Sequence, residues 1–142
     1  VTNYDFMPSL LSLLDLPIPK TANSPGRDFS PTLLGEDLEA WEDVLYYDFE
    51  NVRHIRTSDW KYVERLGQAP AVELYDLNAD PEELDNLADD ANHEALRADL
   101  KKRLHQWFEI HSDPKWDLWK GGDSKSRVGT KKYIDAALKK SE

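Results

Sequence analysis

Residues 73–87, E-L-Y-D-L-N-A-D-P-E-E-L-D-N-L, decide the fold: they read as a strand, a tight turn and a helix-like segment in direct succession. Leu74, Tyr75 and Leu77 suit a strand. Asn78, Asp80 and Pro81 form the turn, because Asn and Asp hydrogen-bond their own backbone and Pro presets φ.

Upstream, the same strand grammar repeats. Val44 to Phe49 is rich in β-branched and aromatic residues, and Glu50-Asn51 is a turn. Val52 to Thr57, Trp60 to Arg65 and Val72 to Leu77 complete four strands, joined by Ser58-Asp59 and by Gly67 to Pro70. Short strands on short turns favour an antiparallel meander. Downstream, a helix is predicted from about Asn92 to Ile110. Leu96, Leu100, Leu104, Trp107, Phe108 and His111 fall at spacings of three and four, forming one apolar stripe to cover one face of the sheet. Asp113-Pro114 ends it, since the residue before Pro avoids the α region. The expected class is α+β, a four-stranded antiparallel sheet packed against one long C-terminal helix.

The ends of the chain differ from this centre. Asp5 is expected to cap a short helix, Phe6 to Leu14, with Pro8 in its first turn. Leu10, Leu11, Leu13 and Leu14 make that helix apolar on most sides, so it should be buried, against a partner surface beyond the remaining sequence; a larger domain would supply one, whereas a free-standing module would expose it. A Pro-rich loop, Leu16 to Arg27, leads to one helical turn from Phe29 to Leu34 with Ser30 as cap, closed by Gly35. The tail carries Trp116 and Trp119, a linker from Gly121 to Thr130 and a weak amphipathic segment, Tyr133 to Leu138. The start, Val1-Thr2-Asn3-Tyr4, has no Met and no apolar signal core, and reads as the interior of a longer chain.

Composition narrows function. The 142 residues include five Trp, six Tyr and four Phe, too aromatic for a disordered chain. A net charge of −10 opposes nucleic-acid and anionic-membrane partners. The chain has no Cys, which excludes disulfides, thiolate metal sites and a Cys nucleophile.

Four blocks in order resemble the C-terminal portion of the type I, formylglycine-dependent sulfatases. Residues 5–11, D-F-M-P-S-L-L, are similar to that family's D-x-x-P-T-L-L helix, with Ser9 for Thr. Residues 26–35, G-R-D-F-S-P-T-L-L-G, resemble its G-x-S-L-x-P-L-L-x-G phrase. Arg53 to Thr57 and Trp60 to Val63 resemble its R-x-I-R-T and W-K-Y strands, and 73–87 its E-L-Y-D-L…D-P…N-L phrase. The resemblance implies a division into three parts. Residues 1–37 would end the large alkaline-phosphatase-like α/β domain, 38–114 would be the C-terminal subdomain, and 115–142 a tail. It implies hydrolysis of sulfate esters, expected to be those of sulfated carbohydrate, by a periplasmic or secreted enzyme. The formylglycine nucleophile and Ca²⁺ would lie in the missing N-terminal part, because no Cys and no Ser-x-Pro-x-Arg occurs here. This chain then holds no catalytic residue and no metal ligand, and by itself is expected to be inactive. Its partners are the remaining large domain and the sulfated substrate. A free-standing acidic α+β module that binds a protein is the alternative.

Several residues invite a sharper reading. Asp76-x-Asn78-x-Asp80 begins like a calcium loop, but Pro81 and Leu87 stand where Gly and Glu are needed, so a hydrogen-bonded turn is expected. His93, His105 and His111 lack metal spacing. His54 lies among Arg53, Arg56 and Lys61; alternation places Arg53 with Ile55 on one face and His54 with Arg56 on the other. The cluster reads either as a solvated strand paired to residues such as Asp48 and Glu50, or as the rim of a cleft for an anionic sugar. His54, Arg53 and Arg56 are the candidate substrate-binding residues. Trp107-Phe108 belongs to the helix stripe, whereas Trp116 and Trp119 could stack on sugar or fold back on the sheet.

Overall fold

The computed structural model describes residues 1–19, 24–38, 41–67, 71–123 and 132. The chain divides into two compact units, Val1–Leu45 and Tyr46–Glu142.

In the first unit, helix α1 spans Asn3–Leu13 and helix α2 spans Ser30–Leu33. Thr2, not Asp5, is the N-cap of α1; Asp5 sits at the third helical position, where its Oδ2 accepts the Thr2 N–H at 2.6 Å. The helix thus starts earlier than the leucine pattern marks, and Pro8 falls inside it rather than in its first turn. Pro8 has no N–H for the Tyr4 carbonyl, and Gly26 closes on that oxygen: a Cβ there would lie 1.9 Å from it.

The buried side of α1 is its polar side. Asp5 Oδ1 accepts the Arg27 N–H at 2.8 Å, and Ser9 Oγ accepts the Phe29 N–H at 2.9 Å while donating to the Asp5 carbonyl at 2.7 Å. Ser30 then meets Ser12 at 3.2 Å. Within this chain the leucine face is left uncovered. Leu10, Leu13, Leu14, Leu33 and Leu34 are all exposed, because the loop that packs on α1 binds its hydroxyl and carboxylate stripe. Ser30 is likewise the first residue of α2, with Phe29 in the cap position.

The second unit is built on the sheet β1 (Leu45–Phe49), β2 (Val52–Arg56), β3 (Trp60–Arg65) and β4 (Val72–Asp76), ordered β1-β2-β3-β4. Antiparallel register sets Ile55 opposite Tyr62 and Tyr62 opposite Leu74. These three share one face, and helix α3 (Glu94–His111) lays Leu100, Leu104 and Phe108 on it. Trp107 stacks on Tyr46 at 4.9 Å. The predicted meander and its covering helix are therefore both present. Helix α3 begins two residues later than expected, behind a short turn at Ala91–His93 capped by Asp90.

The helix-like segment expected after Asp80 is not a helix. Asp76 Oδ1 takes the Asn78 and Ala79 N–H groups, so the calcium-like triplet is a hydrogen-bonded turn. Asn86 and Leu87 then run beside β4: Asn86 Oδ1 accepts the Leu74 N–H at 2.9 Å, and the Leu87 N–H reaches the Leu74 carbonyl at 2.8 Å. This covers an edge that would otherwise stay open to pairing.

Beyond α3, a strap of residues 112–123 folds back as two single turns, Pro114–Trp116 and Leu118–Lys120, capped by Asp113 and Asp117. Gly121 takes φ +77, and the Gly122 N–H donates to the Asp117 carbonyl at 2.8 Å. The start of the expected linker thus belongs to the strap; its remainder and the Tyr133–Leu138 segment lie outside the described residues.

Candidate substrate-facing surface

Pleating divides the candidate residues between the two faces of the sheet. His54 and Arg56 share the face away from α3 with Tyr47 and Lys61. The imidazole of His54 lies flat on Tyr47, with centroids 4.8 Å apart and an interplanar angle of 15°. Burial, then the Lys61 charge, draw His54 down from 6.5 to about 4 against the pull of Glu83, with Arg56 adding to the fall. At neutral pH it is an uncharged ring that can accept or donate one hydrogen bond.

Arg56 and Lys61 face each other across β2 and β3, and Glu83 bridges them. Its carboxylate meets Arg56 at 3.1 Å and also binds Lys61. Glu83 holds φ +58, a left-handed conformation that a non-glycine residue adopts at a cost of roughly 1 kcal/mol. Sequence reasoning did not single out Glu83. The available signal was the D-P-E-E turn next to a strand pair bearing two cations.

Arg53 lies on the opposite face, where it is buried. Its guanidinium donates to Asp117 at 2.8 Å and meets Asp48 at 3.4 Å, with the Phe108 ring 4.0 Å and the Trp119 ring 5.2 Å from it. Asp48 is the cross-strand partner anticipated for this cluster. Asp117 is 2 % exposed and also accepts the Ser112 hydroxyl at 2.7 Å and the Trp119 N–H at 2.9 Å. Burial acts to raise its carboxyl, but the hydrogen bonds of Ser112 and Arg53 together with the Arg53 charge hold it below the usual carboxylate range. Trp119 has folded back; Trp116 is 39 % exposed.

A second polar cluster lies under α3. Buried Glu64 accepts the Tyr62 hydroxyl at 2.7 Å and pairs with His105 Nε2 at 2.7 Å. Burial, then the Glu64 hydrogen bond and charge, push the Tyr62 phenol well above its ordinary range, so it stays a donor. Among the described residues no group of three His, Asp or Glu is arranged to hold a metal ion.

The comparisons with known proteins agree with this architecture. The family described as N-sulphoglucosamine sulphohydrolase, C-terminal, matches residues 1–109. An N-acetylgalactosamine-6-O-sulfatase of Bacteroides thetaiotaomicron is 35 % identical over 98 residues, covering 59 % of this chain and 19 % of the relative. A Delta 4,5-hexuronate-2-O-sulfatase of the same organism is 28 % identical over 137 residues, covering 91 % and 28 %. A solved 2-O GAG sulfatase superposes with TM-score 0.65 at 26 % identity, over 77 % of this chain and 25 % of that one. A phosphonate monoester hydrolase of Agrobacterium radiobacter gives 0.61 at 27 %, over 77 % and 25 %. The chain thus spans between 19 % and 28 % of these relatives' lengths. The sheet, its covering helix and the paired N-terminal phrases, matched continuously over residues 1–109, make this chain a member of the N-sulphoglucosamine sulphohydrolase C-terminal family, the C-terminal portion of a type I sulfatase.

Proposed function

We propose that these residues complete an enzyme that hydrolyses sulfate esters of carbohydrate, in the periplasm or outside the cell. Residues 1–37 finish the large α/β domain, residues 38–114 buttress it, and residues 115–142 form the tail. The observation that carries the reading is the family match across both units, joined to the outward leucines of α1 and α2. Five leucines left exposed on two short helices call for cover, and the large domain of the same protein is the cover this reading provides.

The chemistry of the formylglycine and Ca²⁺ is assigned to that large domain. The residues present do not fit either group: there is no Cys, no Ser-x-Pro-x-Arg and, among the described residues, no convergent carboxylate set. What this chain contributes to the cleft is a wall. His54 is offered as a neutral hydrogen-bonding ring held in plane by Tyr47, with Arg56 beside it to attract a sulfated sugar. Arg53 acts from the other face, fixing β2 to the strap.

The test is the complete gene product, assayed on 2-O- and 6-O-sulfated sugars and on an aryl phosphonate monoester. Sulfate release by the complete protein and none by the 142-residue chain is expected. Turnover of the phosphonate alone would overturn the sulfatase reading in favour of the hydrolase likeness. His54→Ala is expected to raise KM for the sulfated sugar several-fold with kcat held; unchanged kinetics would remove His54 from the cleft.

A further inference from the structure

We infer that Lys115 and Trp116, on the strap behind α3, form a platform for an anionic sugar ring. The reasoning starts from how the strap is held. Its anchor is a buried ion pair, Arg53–Asp117 at 2.8 Å, with Asp117 also accepting the Ser112 hydroxyl and the backbone N–H groups of Trp119, Lys120 and Gly122. One residue before that anchor stands Trp116, 39 % exposed. Its turn is closed on both sides. The Trp116 N–H donates to the Asp113 carbonyl at 2.9 Å, and the Asp123 N–H to the Lys115 carbonyl at 2.8 Å. The two tryptophans of W-D-L-W therefore have opposite fates: Trp119 turns in beneath Arg53, and Trp116 is presented on a capped turn.

A lone exposed aromatic is ordinary. Three features set this one apart. The backbone beneath it is hydrogen-bonded on both sides without a ligand, and a turn already formed lowers the ordering cost of binding. The Lys115 ammonium lies over its ring, 4.7 Å from the centroid. The neighbouring Asp113 and Asp117 carboxylates each accept a backbone N–H, at 3.0 and 2.9 Å, and it is the Lys115 ammonium that lies against the ring. A sugar lays its C–H face on an indole, and an ammonium displaced from that indole can take a sulfate or carboxylate. A neutral sugar forfeits the cation–ring contact without replacing it; an anionic one converts it to an ion pair. The pair therefore selects anionic rings. The platform lies past residue 109, where the match to the family model ends.

The inference rests on the sulfated-carbohydrate reading, and the experiment separates the two. In the complete protein, binding of a sulfated oligosaccharide and of its desulfated counterpart is measured by calorimetry, alongside turnover of a small aryl sulfate. Trp116→Ala is expected to weaken binding of the sulfated oligosaccharide about fivefold, or about 1 kcal/mol, with aryl sulfate turnover unchanged. Trp116→Phe, which keeps a ring face, recovers most of the affinity. Lys115→Gln narrows the preference for the sulfated over the desulfated ligand. Unchanged binding by Trp116→Ala overturns the platform, as does wild-type protein that binds no sulfated oligosaccharide. Loss of aryl sulfate turnover in the wild type, with Trp116-dependent binding retained, overturns the sulfatase reading and upholds the platform.

Discussion

Asp117 and Arg53 show how one burial decision sets two roles. A cation on a strand face reads as a ligand group until the structure places it beneath a helix end with its carboxylate partner. Removing one member of such a pair leaves a desolvated charge, whereas replacing both by apolar groups can cost little. Asp117→Ala is expected to cost about 3 kcal/mol in urea unfolding, and the Arg53→Met/Asp117→Leu double variant to recover most of it. His54 titrates in the opposite sense from a paired histidine. Its folded pKa, about 4, lies below the ordinary 6.5, so between those values the unfolded chain binds more protons. Its contribution is fully present above pH 6.5 and is lost as pH falls toward 4. The full shift would exceed 3 kcal/mol, but solvent reaches part of the ring, and about 1–2 kcal/mol is expected. His54→Gln should flatten the unfolding free energy between pH 6.5 and 4, measured by denaturant titration at several pH values.

At the scale of elements, the first unit is two phrases bolted together by hydroxyl and carboxylate. Ser9 donates to the Asp5 carbonyl within α1 and accepts the Phe29 N–H across the α1–loop junction, so a Thr at that position is functionally equivalent and an Ala is not. Ser9→Ala is expected to cost about 1–2 kcal/mol by leaving the Phe29 N–H unpaired, and Ser9→Thr under 0.5 kcal/mol. Faster proteolytic cutting between Ser24 and Leu34 in the Ala variant alone would report this. Gly26→Ala should be harsher, because its Cβ would collide with backbone rather than with a side chain able to swing aside.

For the whole molecule, the outward leucines predict behaviour in solution. The 142-residue chain expressed alone should self-associate through α1 and α2, seen as concentration-dependent mass in light scattering. Leu10→Glu with Leu14→Lys should make it monomeric. The same pair of changes in the complete protein should lower its melting temperature if the large domain covers the leucines as proposed. A monomeric wild-type chain would argue that this surface needs no partner.

Four strands, their order and the helix stripe were legible in the sequence because each rests on a period of its own, two for strands and near 3.6 for helices. Alternation alone also separated Arg53 from His54. Periodicity could not say which face of α1 is buried, since it counts apolar residues and the contact was polar. Nor could it pair Glu83 with Arg56 and Lys61, or Asp117 with Arg53. Those carboxylates lie 27, 22 and 64 residues from their cations, and such neighbours exist only once the chain has closed its loops. Local order was written in local pattern; the partners of the buried charges, and the faces on which Arg53, His54 and Trp116 stand, were decided by the fold.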